Sequence, residues 1–226
     1  MRTITGWFSA AFALAALALF PDATLAASAE QNIIDRADIV VREIKADPHF
    51  DDFAKLLAEA KGVLVIPDRF KVGFILGGEG GAGVLMARDP DNGSWSPPAF
   101  YFIGSAGIGL QAGAQVSQVV LLVMSDGALD KLMTQNVTLG ADANIAIGPV
   151  GTGVEAGTAL STNVDFYSFA RAKGLFFGIS LEGAVLMSDD KANAAYYGAP
   201  ASPATIVLER RVSNPGADAL RGELGG

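Results

Sequence analysis

Few residues in this chain have the type and spacing for covalent chemistry. Gly78-Glu79-Gly80-Gly81-Ala82-Gly83 matches G-x-G-x-x-G, the pattern that lets a backbone approach a pyrophosphate. A dinucleotide site needs a helix next, with its N-terminus facing the phosphates. Here Val84-Leu85-Met86-Ala87-Arg88 runs into a turn, and Glu79 would repel the anion, so the glycines read as part of a bent strand pair. Asp51-Asp52 and Asp189-Asp190 are paired acids, but both pairs open predicted helices, where acids complement the dipole. Asp89, Asp91 and Asn92 could offer hard oxygens to calcium; without EF-hand spacing they read as a turn. His49 is the one histidine and there is no cysteine. Thiolate sites, disulfides and multi-histidine metal sites are thereby removed. Residues 96–160 hold five charged side chains and no nucleophile beside a base. Neither a catalytic constellation nor a cofactor is implied.

The elements that would position any site follow from periodicity. Ser28 caps a predicted helix through about 46, with Ile33, Ile34, Ala37, Val40, Val41 and Ile44 on one face. A second helix is expected over 50–60, with Gly62 as its C-cap. From Val63 the period becomes two. Strands are expected at 63–66, 72–76 and 83–88, two more within 100–124, and others at 137–147, 164–171 and 175–187. Short helices are predicted from Asp126 and Asp189. A last short element is expected over 205–210. This order predicts an α+β fold: a glycine-rich, strongly bent, mostly antiparallel sheet or partial barrel with N-terminal helices and short peripheral helices. Residues 73–89 and 174–190 echo each other weakly; a true repeat would make both similar strand pairs.

Composition bounds the partners. The chain has 226 residues and a formal charge of −8, which disfavours nucleic acid. Glycine numbers 27, and 21 of these fall in residues 62–183, a stretch too apolar for a flexible linker. Residues 1–26 have a basic start, a short apolar run over 7–20 and small residues before Ala26, which reads as a signal peptide with cleavage possible up to 29. An exported, periplasmic or secreted protein is expected, peripheral to a membrane if it meets one. Residues 28–210 are expected to form a single domain, and 211–226 a flexible C-terminal tail.

Several motifs, in order, resemble the SYLF domain family. They are Lys61-Gly62-Val63-Leu64-Val65-Ile66-Pro67, the segment from Gly73-Phe74 through Gly83-Val84 to Arg88, and Trp95-Ser96-Pro97-Pro98. Gly104 to Gly113 with Gln115, Leu139-Gly140 and Gly148-Pro149-Val150-Gly151 follow. Tyr167-Ser168, Arg171-Ala172-Lys173-Gly174-Leu175-Phe176 and Ser180-Leu181-Glu182-Gly183 complete the set. Together they cover about residues 33–197, and the layout resembles stand-alone exported bacterial members. The resemblance implies a non-enzymatic lipid-binding module; eukaryotic members bind phosphoinositides and some bind actin. Family membrane binding is associated with the N-terminal helical part and with basic residues. That implicates Arg36, Arg42 and Lys45 here, with Lys61, Arg69, Lys71, Arg171 and Lys173 as candidates for the same patch. Asp35, Asp38 and Glu43 interleave with those bases and weaken attraction to an anionic surface. Export makes actin an unexpected partner in the native compartment. The rival readings are an envelope scaffold, a hydrolase using buried acids, and an outer-membrane barrel; the N-terminal helices argue against the last.

Overall fold

The computed structural model describes residues 28–73, 76–108, 113–148, 163–172, 175–177 and 181–225. Helix α1 (Ala29–Ala46) starts where Ser28 Oγ accepts from the Gln31 backbone N–H at 3.1 Å. Its apolar stripe, Ile34, Ala37, Val40, Val41 and Ile44, is buried. Each buried Ile or Val side chain contributes roughly 1.5–3 kcal/mol of transfer free energy. A turn of 3₁₀ helix leads to α2 (Asp51–Glu59), whose Phe53 ring meets Phe169 edge-on at 5.1 Å.

Among the described residues nine strands then build one sheet: β1 (Gly62–Gly73), β2 (Leu76–Ala87), β3 (Ala99–Ile108), β4 (Gly113–Val123), β5 (Val137–Thr138), β6 (Ile145–Ile147), β7 (Phe166–Ala172), β8 (Leu175–Phe177) and β9 (Val185–Ser188). The order is β5-β9-β3-β2-β1-β4-β7-β6, with β8 on β7, and every pairing but β6–β7 is antiparallel. The sheet curls into a half-barrel and the fold is α+β, as the sequence predicts. One face carries α1, α2 and the C-terminal helix over Val63, Val65, Val84, Phe100, Val120 and Phe169. The inner face packs Leu64, Ile66, Leu85, Tyr101, Val119 and Leu121 against α3 (Asp126–Thr134) and the π-helical turn Ala204–Leu208.

The bend has a specific origin. Val65 pairs with Val84 but Phe70 with Gly80, so β1 carries one extra residue; the same insertion separates Ile66↔Val119 from Arg69↔Ser117. It is a β-bulge at Pro67-Asp68. Its carbonyls lean over β2. A Cβ at Gly81 would lie 2.4 Å from the Asp68 oxygen, and one at Gly83 2.3 Å from that of Val65. These two glycines of the G-x-G-x-x-G motif make room for a bulge, and the motif lies wholly inside β2.

Several expectations are corrected. The strand expected over 72–76 straddles the end of β1 and the start of β2. Gly62 opens β1, and α2 is closed by Ala60. The strand expected over 175–187 is two strands with different partners, β7 for β8 and β3 and β5 for β9. Residues 76–87 form the one strand β2, whereas 174–190 hold β8 and β9 with different partners, so the echoing segments are not equivalent strand pairs. Residues 211–225 do not form a flexible tail: a 3₁₀ turn (Pro215–Ala217) leads to another helix, Asp218–Glu223, and Leu220 and Leu224 are buried. With α4 (Asp190–Tyr197) that last helix is α5. Trp95 Nε1 donates to the Leu224 carbonyl at 3.1 Å, and Arg221 Nε donates to the Trp95 carbonyl at 3.1 Å.

Candidate functional site

Helix α1 crosses the sheet, and its charged edge meets the bulge. Arg36 pairs with Asp68 and Glu43 with Arg171 of β7. Between these pairs lies an open pocket of about 300 Å³, lined by Glu43, Pro67, Asp68, Val116, Gln118 and Arg171 among others. Further along the helix, Arg42 pairs with Asp38 and reaches Glu223 at 3.6 Å, while Lys45 Nζ is 3.0 Å from the Glu223 carboxylate. Those two bases hold α5 in place.

The remaining candidates are scattered. Lys61 stands at the opposite end of β1, 3.7 Å from an exposed Asp126 carboxylate. Arg69 points inward, is 3 % exposed and pairs with Glu79, whose Oε1 also accepts from Ser105 Oγ at 2.8 Å. Lys71 lies in β1 beyond it, and Lys173 falls outside the described residues. The structure thus brings Arg171 to the pocket, with Arg36 paired to its Asp68 rim, and Arg42 and Lys45 to another place. It separates Lys61 and buries Arg69. Arg36, Arg42, Lys45, Lys61, Arg69 and Arg171 each face a carboxylate, so these charges are largely neutralised within the protein. The surface pairs contribute about 0–1 kcal/mol each.

Sequence reasoning missed a second surface. Phe70 of β1 and Val116 of β4 are cross-strand partners on the helix-bearing side of the sheet, 52 % and 48 % exposed. Phe102 of β3, 39 % exposed, lies on the same side. A Cβ at Gly80 would be 2.6 Å from its ring and one at Gly104 3.1 Å, so the ring lies across positions without side chains. The sequence signal was Arg69-Phe70-Lys71-Val72, an alternation that shows two faces but not which is inside.

Titration is perturbed mainly at structural positions. Asp89 lies below the usual carboxylate range because it accepts from the Asp91 backbone N–H, with Arg210 3.1 Å away adding to the effect. The Asp142 pKa is lowered by hydrogen bonds from Thr138. Burial pushes Tyr196 up to about 12 and raises Tyr101 and Tyr197 further. Among the described residues no group of three or more His, Asp or Glu side chains is placed to hold a metal ion, and no helix is long and apolar enough to cross a membrane.

A curled half-barrel sheet with helices packed on both faces defines an α+β domain. The family model for Ysc84, described as "Las17-binding protein actin regulator", matches residues 104–225, more than half of the chain. The chain belongs to the Ysc84 (SYLF) family, as the resemblance of its motifs predicts. It is 34 % identical over 145 residues to human SH3 domain-containing YSC84-like protein 1, covering 64 % of this chain and 42 % of that protein. It is 36 % identical over 165 residues to an SH3 domain-containing protein of Schizosaccharomyces pombe, covering 72 % and 38 % of the two chains. Against Protein YSC84 of Saccharomyces cerevisiae the values are 32 % over 168 residues, 73 % and 36 %. The chain spans well under half the length of these relatives.

Proposed function

We propose that this protein is a non-enzymatic lipid-binding module of the Ysc84 (SYLF) family, acting at a membrane surface in the cell envelope or outside the cell. The observation that carries the reading is family membership, joined to a leader over residues 1–26 that reads as an export signal. The expected test is flotation of the exported protein with vesicles of neutral and of anionic phospholipid. Co-flotation supports the reading; no flotation with either composition at low salt overturns it.

A second reading rests on the family description itself, which names a protein partner and actin regulation. On it, this chain is an envelope scaffold, with actin as a partner only where a host cell supplies it. Pull-down from delipidated envelope extract separates the two, since a lipid binder loses its partners there.

A further inference from the structure

At the end of the sheet beyond the bulge, the usual polarity of a soluble sheet is inverted. Inside, Arg69 and Ser117 are buried directly opposite each other, and Glu79 and Ser105 are likewise register partners joined by a hydrogen bond. Outside, Val116, Phe70 and Phe102 stand exposed on β4, β1 and β3, with β2 between the last two. Phe70 pairs with Gly80, Gly80 with Gly104, and Phe102 with Ala82. None of these outer positions carries a charge or a hydrogen-bonding side chain. A polar interior with an apolar exterior is the arrangement of sheets that face hydrocarbon. Protein interfaces are rimmed and punctuated by hydrogen-bonding groups, on the order of one bond per 100–200 Å²; this band offers none from its side chains.

We infer that this apolar end of β1–β4, centred on Phe70, Phe102 and Val116, is the membrane-contact surface, and that it enters the acyl region of a bilayer. The inference rests on the lipid-binding reading and says which surface performs it. Binding then comes from burial of apolar area and not from the paired bases of α1. That is the mode open to a chain of charge −8 in which Arg36, Arg42, Lys45, Lys61, Arg69 and Arg171 already face carboxylates. Glycines at 80 and 104 are part of the device, since they let the Phe102 ring lie along the sheet and widen the apolar band.

The test is flotation of the exported protein on uncharged phosphatidylcholine vesicles, at about 0.1 M and about 1 M salt, where screening lengths differ about threefold. The wild type is expected to float equally at both. Phe70→Ser and Phe102→Ser are each expected to weaken partitioning by about tenfold, the transfer free energy of one aromatic side chain at partial insertion. Arg36→Gln with Arg171→Gln is expected to stay within about twofold of wild type, as surface charges largely compensated within the protein should. The thermal transitions of all variants are recorded, because the serine sites are exposed and the fold must be retained. In a second measurement, Phe70→Trp is titrated with vesicles brominated on the acyl chains; quenching of its emission, against the buried Trp95 background, supports insertion. If the wild type floats only on anionic vesicles, salt abolishes it and the serine variants match it, the inference is overturned and the lipid-binding reading stands. If no vesicle floats the wild type, both fall. A stable dimer that Phe70→Ser dissociates without loss of flotation also overturns the inference, because a second copy then covers the band.

Discussion

The two halves of strand β1 use the same alternation to opposite ends. In the first half Val63, Leu64, Val65 and Ile66 are all buried: Val63 and Val65 under the helices, Leu64 and Ile66 inside the half-barrel. In the second half Arg69 is buried and Phe70 is half-exposed. The extra residue at Pro67-Asp68 makes the difference. A one-residue insertion moves every later side chain to the other face. Unbulged, Phe70 would share the inner face with Leu64 and Ile66, and Arg69 would share the outer one with Val65. The lesson is that a bulge can convert one pattern into a core at one end of a sheet and an inside-out surface at the other.

Substitutions on either side of the bulge should separate the two halves. The largest stability loss is expected in the covered half. Phe53→Ala removes a ring packed edge-on against Phe169 and should cost about 3–5 kcal/mol in urea unfolding. Beyond the bulge, Arg69→Met takes the guanidinium from the Glu79 carboxylate and should cost about 3–5 kcal/mol; Arg69→Met with Glu79→Leu should recover most of it. A double variant no more stable than the single one would show that the inner pair is not what the polar interior depends on. At the bulge itself, Gly83→Ala drives a methyl against the Val65 carbonyl and should cost about 1–3 kcal/mol, whereas Gly127→Ala, in α3 with open space around its Cβ, should cost nothing. Equal losses would deny the bulge its role in selecting glycine. On the outer band, Phe70→Ser should change stability by no more than about 0.5 kcal/mol.

The smallest effect is on pH dependence. Tyr196 packs edge-on against Phe100 at 5.2 Å, and burial raises its pKa from 10.0 to about 12. A raised phenol gives stability that is present below pH 10 and lost as pH rises through about 12. Tyr196→Phe should flatten the alkaline limb of a circular dichroism titration over that window. The lowered Asp89 and Asp142 act in the other direction: their contribution is present above the ordinary carboxylate value of 3.8 and fades as pH falls below it.

Much of the fold was legible because local signals agreed. Ser28, the stripe from Ile34 to Ile44, and Asp189 before Asp190 placed α1 and α4 nearly to the residue. The family was legible from the order of short motifs along the chain. The tail was misread because Leu220 and Leu224 are isolated apolar residues among glycines; their burial depends on Trp95, some 125 residues earlier. The basic residues were legible as charges, but their partners were not. Arg171 meets Glu43 and Arg36 meets Asp68 only because α1 lies across the sheet.

By itself the sequence determined the class of fold, the capped first helix, the absence of thiol and multi-histidine chemistry, and the concentration of glycine in an apolar sheet. Local periodicity and composition suffice for these because each depends on residues within one or two turns or strands. The tertiary structure alone decided which face of each strand is inside. Alternation is symmetric between faces, and a single bulge, held by carbonyls seated over Gly81 and Gly83, breaks that symmetry.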